Sequence, residues 1–592
     1  MNDTITLDII ILLSLGVLAQ WLGWKLKLPP ILVLLSVGLL VGPGLNYFNP
    51  GELLGESLFP IVSIAVSIIL FEGGLTLKLA DLKFGGKVIF RLVSVGVAIT
   101  CCATALAAHY ILGFTLEESF LYGGLLSVTG PTVIGPMLRT IRPNGNITKI
   151  AKWEGILNDP AGVLIAVFVY EVITIGGIHD APQAILLAFC KVLIVGGGLA
   201  FLGAGVTILL VRQRLLPEFL HNIFLLVLVI GSFFFANYFQ EESGLVTVTL
   251  LGVLLANQKI FLVDHILLFK ENLRVLFISC LFIILSAQTN FSTLKVLGFP
   301  SVLFLLILIL LIRPLSVLGS TLFSTTPWRE RFLLMMLAPR GIVALSLTSV
   351  FAMKLSDKGY PHGEEMLAVT MLVVLGTIIF YGFGAGWVAT RLGLAERDPQ
   401  GILFIGAHLW ARQLAKLLQN NSIKILLVDN NHFNIEQAKK SSLEAYCGNV
   451  LSKETLENLD LSRIGHAVCI TANHQVNAFA PKNLIEYLER ADVYSISPEI
   501  NSNSNFEHAI PLNPLFGKEV TYTNIHERVT KGSLFNCLSL GDEPDLTNQS
   551  VLENAGNTPL FLINQLGKVS VFSEMDSPSL TSNSKVIYLK DP

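Results

Sequence analysis

The hydropathy of the chain changes character once. Up to about residue 395 it consists of apolar runs, mostly of 17–25 residues, separated by short polar loops. About 20 helical residues cross a bilayer core, so each run predicts a membrane span. Thirteen are predicted, at 5–25, 29–43, 57–75, 90–113, 117–139, 150–176, 183–211, 219–239, 243–258, 272–289, 297–324, 331–354 and 364–391. Beyond about Ala395 the period shortens. The runs GILFIG, IKILLVD and HAVCITA alternate with amphipathic stretches such as HLWARQLAKLL, the signature of an α/β domain with parallel strands. From about residue 515 short strands (PLFLIN, KVSVFS, KVIYL) are separated by Gly, Asn, Ser and Pro. The predicted organisation is a polytopic α-helical membrane domain at 1–395, a Rossmann-like α/β domain at 398–510 and a small β-rich subdomain at 511–592.

Composition agrees with the membrane reading. The chain is 52% hydrophobic and only 14% charged, with mean hydropathy +0.65. That is too little charge to cover the surface of a soluble protein of 592 residues. A net charge of −3 gives no reason to expect a nucleic-acid partner. The seven cysteines have no CxxC or metal spacing and read as small buried hydrophobes. The stretch Thr4–Trp24 has no basic flank before it and no small-residue cleavage site, so it reads as the first span rather than a signal peptide.

Charge in the loops predicts orientation, because cytoplasmic loops are enriched in Lys and Arg. Alternate loops carry Lys25/Lys27, Lys78/Lys83/Lys87/Arg91, Arg139/Arg142/Lys149/Lys152, Arg212/Arg214, Lys259/Lys270/Arg274 and Arg329/Arg331. The other loops carry Glu52/Glu56, Glu117/Glu118, Asp180 and Glu241/Glu242, with few basic residues (Lys295, Lys354, Lys358). The expected arrangement is a multi-pass protein of a cell (plasma or inner) membrane, N-terminus outside and C-terminus cytoplasmic.

The candidate chemistry lies in WEGILNDPAGV (153–163). An ionisable residue at mid-bilayer costs about 2.5 kcal/mol or more and usually faces a pathway or a partner. Glu154 and Asn158 stand four apart and share a helix face, with Asp159 turned about 100° from Asn158. Pro160 has no N–H, so the carbonyl of Ile156 loses its helical donor. A carboxylate beside a freed carbonyl suits a hard monovalent cation or, in its place, a proton. Competition of the two for one site is the working principle of an exchanger. A static polar clamp between helices is the competing reading. Glu154 needs a cation, and Arg313 in LLIRPLSV or Arg340 in LAPRGIVAL supplies one. Two spans look broken: the fifth at SVTGPTVIGP (127–136), where Thr129 offers a hydroxyl, and the twelfth at APRGIV. Interrupted helices in corresponding halves point to a midplane binding site, and two inverted repeats of six spans with one between would make the fifth and twelfth correspond.

These residues resemble the monovalent cation:proton antiporters of the NhaP and sodium–hydrogen exchanger type, over the whole of 1–395. The Asn158–Asp159 pair with Glu154 upstream carries the resemblance, and FEGGLTL (71–77) is similar to a further family element. The resemblance implies that Asp159 carries cation and proton alternately, that Asn158 supports it and that Thr129 contributes oxygen. It pairs Glu154 with a basic residue, Arg313 in preference to Arg340, and sets Arg340 at the second broken helix. A single Asp preceded by Asn marks the branch usually taken as electroneutral. Gly130 stands where the family commonly has Asp, and Gly155 where it frequently has Ser, which leaves fewer protein oxygens and keeps both Na+ and K+ open as the transported ion.

In the C-terminal part, GILFIGAHLWARQLAKLL (401–418) reads as strand, turn and helix, and Asp429 ends a second strand 23 residues after Gly406. That is the spacing at which a dinucleotide fold binds ribose hydroxyls. With YCGNV (446–450) and ITANHQVNA (470–478) this part resembles the TrkA-N, RCK-type nucleotide-sensing domain. Its glycine fingerprint keeps Gly406 but has His408 and Ala411 in place of the second and third glycines. The alternatives are NAD(H), another nucleotide such as an adenine nucleotide, and a ligand-free structural or dimerisation role, and the sequence singles out no cofactor.

The expected function is antiport of Na+ or K+ against H+ by a homodimer in the lipid bilayer, regulated by the cytoplasmic domain. A nucleotide-gated K+ channel or K+ efflux system is the alternative, but the sequence holds no TVGYG-like filter. An enzyme is not expected, since no catalytic constellation accompanies the degraded fingerprint.

Overall fold

A computed structural model describes residues 2–26, 28–47, 50–51, 55–141, 143, 145–175, 181–258, 264–288, 297–395, 399–452, 455–456, 459–485, 487–488, 492–498, 513–517, 520–540, 557–573, 578 and 582–590. Of the loop charges used above, Lys27, Glu52, Arg142, Asp180, Lys259 and Lys295 lie outside the described residues. The chain forms two compact units, Met1–Leu394 and Ala395–Pro592.

The first unit is helical. Its helices are α1 (Asn2–Leu26), α2 (Pro30–Leu39), α3 (Leu58–Leu75), α4 (Gly85–Leu112), α5 (Leu116–Ser127) and α6 (Pro131–Ile141). They continue with α7 (Gly145–Ile175), α8 (Ala181–Arg212), α9 (His221–Phe239), α10 (Ser243–Ala256) and α11 (Asp264–Ala287). The last four are α12 (Phe299–Thr321), α13 (Trp328–Met335), α14 (Ile342–Asp357) and α15 (Gly363–Arg391). Among the described residues seven helical stretches are long and apolar enough to cross a membrane, and five shorter apolar helices accompany them.

Small residues let these helices approach closely, as is usual where lipid removes the hydrophobic drive between them. Gly74 of α3 meets Gly252 of α10 so tightly that a Cβ on Gly74 would lie 2.4 Å from the carbonyl oxygen of Thr249. In the same FEGG stretch Glu72 is buried and pairs with Arg274 at 3.0 Å. The α5 helix starts on a capping box: Thr115 accepts from the Glu118 N–H, and the Glu118 carboxylate accepts from the Thr115 N–H at 2.9 Å.

The cysteine reading needs correction. All seven are free thiols, but only Cys101 and Cys469 are buried; Cys102, Cys190, Cys447 and Cys537 are exposed. The exposed pair on membrane helices (Cys102, Cys190) would face lipid, an apolar solvent that suits a thiol as well as a core does.

The second unit contains a parallel five-stranded sheet of order β3-β2-β1-β4-β5. Its strands are β1 (Gly401–Ile405), β2 (Ile425–Asp429), β3 (Glu444–Cys447), β4 (Ile464–Cys469) and β5 (Val493–Ser495). Helices α16 (Leu409–Asn420), α17 (His432–Lys440) and α18 (His474–Leu484) connect them. The chain then adds α19 (Tyr522–Thr530) and an antiparallel sheet of order β6-β9-β7-β8. Here β6 is Leu534–Ser539, β7 Thr558–Ile563, β8 Val569–Val571 and β9 Lys585–Lys590. The three tail strands read from sequence correspond to β7, β8 and β9. Strand β6 and helix α19 escaped that reading because each presents a half-exposed face with no continuous apolar run. Trp410, Leu414 and Leu418 of α16 share one buried core with Leu560, Phe561, Ile587 and Leu589 of the second sheet.

Candidate ion-binding site

The fifth predicted span is two helices. Pro131 cannot donate a hydrogen bond and bars its predecessor from helical geometry, so α5 stops at Ser127 and α6 restarts at Pro131 as its first residue. The twelfth span is broken in the same way, between Met335 and Ile342 around Pro339. The two breaks cross backbone to backbone. The Gly130 N–H donates to the Pro339 carbonyl at 3.2 Å. A Cβ on Gly130 would lie 2.5 Å from Gly341 Cα, and a Cβ on Gly341 would lie 2.5 Å from Gly130 Cα. This explains why Gly130 carries no carboxylate: the crossing leaves no room for a side chain. Gly130→Ala is therefore expected to cost about 1–3 kcal/mol, the usual penalty of overpacking. Thermal unfolding in detergent checks it, with Gly135→Ala as the neutral control, since nothing lies within 4 Å of a Cβ there.

Each break leaves helix-terminal carbonyls without intrahelical donors, and an arginine meets each set. Arg340 donates through Nη1 to Val128 O at 2.9 Å and Ser127 O at 3.3 Å, at the end of α5. Its backbone N–H donates to Thr377 Oγ1 of α15 at 3.1 Å. Arg313 of α12 donates through Nη2 to Leu334 O at 2.7 Å and Leu337 O at 3.4 Å, around the end of α13. The same guanidinium forms a two-pronged ion pair with Glu154 of α7, Nη1 to Oε1 and Nη2 to Oε2 at 3.1 Å. Glu154 thus takes Arg313, and Arg340 works elsewhere. Both arginines and Glu154 are at most 5% exposed.

Helix α7 runs unbroken through Pro160 along these breaks. Its Gly155 packs against Ile134 of α6, whose Cδ1 would lie 2.7 Å from a Cβ at 155. Gly162 packs against Ser127 and Val128, at 2.6 and 2.7 Å by the same measure. Asp159 lies four residues after Gly155 and three before Gly162, hence on the face that both glycines press against the break. It is 0% exposed, and neither carboxylate oxygen has a hydrogen-bond partner among the described residues. Arg340 exerts the coulombic pull on it. Asn158 Oδ1, Thr129 Oγ1 and Thr132 Oγ1 are likewise buried and unpartnered. Thr132, Thr377 and Tyr381, whose buried ring lies within coulombic reach of both arginines, were not singled out from sequence. For Thr132 the signal was present in T-G-P-T, because the second residue of a helix restarting at proline stands at the break. Thr377 and Tyr381 lie in an uninterrupted apolar run that hides them.

The membrane site thus offers hydroxyl, amide and carboxylate oxygens in a buried setting, donors suited to a bare monovalent cation or a proton. In the second unit Gly406 (φ 113°) turns the chain after β1 as in a dinucleotide fold. Asp429 ends β2, but its oxygens already accept from Ala407 N and Asn434 Nδ2 through Oδ2, at 2.8 and 2.9 Å, and from Asn431 N through Oδ1 at 2.9 Å. The Ala411 N–H at the start of α16 is directed to His408 Nδ1 at 3.4 Å. These residues do not fit a dinucleotide: the Ala407 and Ala411 N–H groups and the acid that would hold it are engaged within the chain, and a histidine side chain stands where the fold needs glycine.

Comparison with known proteins gives the same division. Residues 9–391 match the family model described as sodium/hydrogen exchanger, transmembrane, and residues 402–505 match the TrkA-N domain. The K(+)/H(+) antiporter NhaP of Alkalimonas amylolytica is 26% identical over 397 residues, 66% of this chain and 67% of its own. The Na(+)/H(+) antiporter 1 of Methanocaldococcus jannaschii is 25% identical over 418 residues, 66% of this chain and 95% of its own. The solved structure of the sodium proton antiporter MjNhaP1 from Methanocaldococcus jannaschii superposes with a TM-score of 0.57 at 23% identity, over 66% of this chain and 99% of that one, a likeness of fold. By its match over most of its length, the chain belongs to the sodium/hydrogen exchanger family.

Proposed function

We propose that the protein is a secondary antiporter exchanging Na+ or K+ for H+ across a cell membrane. The observation that carries this reading is the Asp159 carboxylate, fully buried and unpartnered beside the crossing of two interrupted helices. Asp159 binds cation and proton in turn, Asn158 and Thr129 lend oxygen, and Arg340 holds the helix end beside it. The Glu154–Arg313 pair ties α7 to α12 and to the end of α13, so that the site moves as one body in alternating access. The relatives named above act on K+ in one case and Na+ in the other, which supports both cations here. Electroneutral exchange, thirteen spans in inverted repeats, a homodimer, and an outside N-terminus with a cytoplasmic C-terminus complete the proposal. Its domains are an antiporter domain at 1–395, a regulatory TrkA-N domain at 398–510 and a β-rich subdomain at 511–592.

The test uses purified protein in liposomes that contain a pH-sensitive dye. A proton gradient is imposed and Na+, Li+ or K+ added in turn, with the membrane potential clamped by valinomycin and K+ in the control. Dissipation of the gradient by Na+ or K+ is the expected result and names the ion. Cation flux without coupled proton movement would overturn the exchanger and put a channel in its place.

A further inference from the structure

In an open α/β sheet a ligand binds outside the C-terminal ends of the strands, where strand order reverses. Here that point lies between β1 and β4, since the order is β3-β2-β1-β4-β5. The His408 side chain is in this crevice. Its Nε2 is 2.7 Å from the carbonyl of Ile470, just past β4, and its Nδ1 faces the Ala411 N–H of α16. One ring nitrogen donates and the other accepts, so the imidazole is neutral with its proton on Nε2. Aromatic rings enclose it: Trp410 at 4.5 Å and, edge-on, Tyr522 at 5.0 Å between ring centres. Tyr522 begins α19, so the cover comes from the C-terminal subdomain. On the other side of the turn Arg412 Nη1 donates to Ala407 O at 2.6 Å.

We infer that the nucleotide crevice is filled by this chain's own His408 and roofed by Tyr522, so that the domain takes no dinucleotide and is instead locked to its C-terminal subdomain. Dinucleotide binding needs three things in this fold: backbone close enough to touch the pyrophosphate, free N–H groups at the helix start, and an acid free for the ribose. The imidazole stands where the backbone must be bare. It also takes the Ala411 N–H, while Asp429 takes the Ala407 N–H and accepts two further hydrogen bonds. Burial pushes the His408 imidazole down to about 4, so the neutral, plugged form persists at and well below neutral pH.

The test measures equilibrium binding of NADH and ADP to the full-length protein in detergent, by calorimetry and by energy transfer from tryptophan to NADH. Wild type is expected to show no saturable binding up to about 1 mM. His408→Gly and, separately, Tyr522→Ala open the plug and its roof. At least one of them, if its unfolding transition remains cooperative, is expected to bind NADH at least about tenfold more tightly than that limit. Saturable, competable binding to wild type overturns the inference. So do two folded variants that stay inert, because the crevice would then be closed by something other than these side chains. The readout is independent of transport, so loss of antiport in the liposome assay would leave this result standing.

Discussion

Asp159→Asn is expected to reduce cation–proton exchange to the leak of protein-free liposomes while leaving the fold intact. Asparagine keeps the size and one oxygen of the side chain but can neither hold a transported proton nor offset a cation's charge. The replacement also removes a charge from the middle of a membrane helix, where an acid costs about 2.5–3.5 kcal/mol. The unfolding temperature of Asp159→Asn is therefore expected to equal or exceed that of the wild type. Loss of transport with stability kept or raised is the signature of a carrier residue, because a static polar clamp would show the reverse. A variant that still exchanged ions at the wild-type rate would sink the assignment of Asp159.

The second large effect falls on stability. Glu154→Gln leaves the Arg313 guanidinium without its counter-charge in a site only 5% exposed. Breaking one partner of a buried pair costs about 3–5 kcal/mol, chiefly because the remaining charge is uncompensated. The double variant Glu154→Gln/Arg313→Gln is expected to recover part of that loss, since it removes both charges. It will not recover all of it, because Arg313 also satisfies the carbonyls of Leu334 and Leu337. Thermal unfolding of the two single variants and the double gives the coupling directly. Additive losses would mean that the pair does not hold α7 to α12.

Much of this molecule is legible in one dimension. Helices such as α7 and α15 follow from the length of their apolar runs, because bilayer thickness imposes that length whatever the neighbours are. The acids of WEGILNDP stand out for the same reason: a charge in hydrocarbon is costly enough to be conspicuous without a structure. The breaks at Gly130–Pro131 and Pro339–Gly341 are local backbone chemistry, and the structure interrupts both helices there. The strands β1, β2 and β4 are apolar runs of a buried parallel sheet, and their burial leaves a plain trace in the sequence.

Other features depend on contacts between distant positions. Arg313 and Arg340 both sit in apolar runs, and their spacing gives no reason to prefer one as the partner of Glu154. The crossing of α12 with α7 decides it, 159 residues apart in the chain. The glycine at 130 reads as a missing oxygen, yet it is required by the backbone of Gly341 lying against it. Position 408 reads as a degraded phosphate loop, but only the fold brings Ile470 and Tyr522 around it and makes its imidazole a plug. By itself, then, the sequence determined that this is a membrane protein of many helices with a buried acid at a broken-helix site and an α/β domain behind it, because bilayer thickness, desolvation and proline act on local stretches. Which charges pair, why glycine stands at the crossing, and whether the crevice is open were decided by tertiary structure alone, because each depends on side chains brought together by packing across scores of residues.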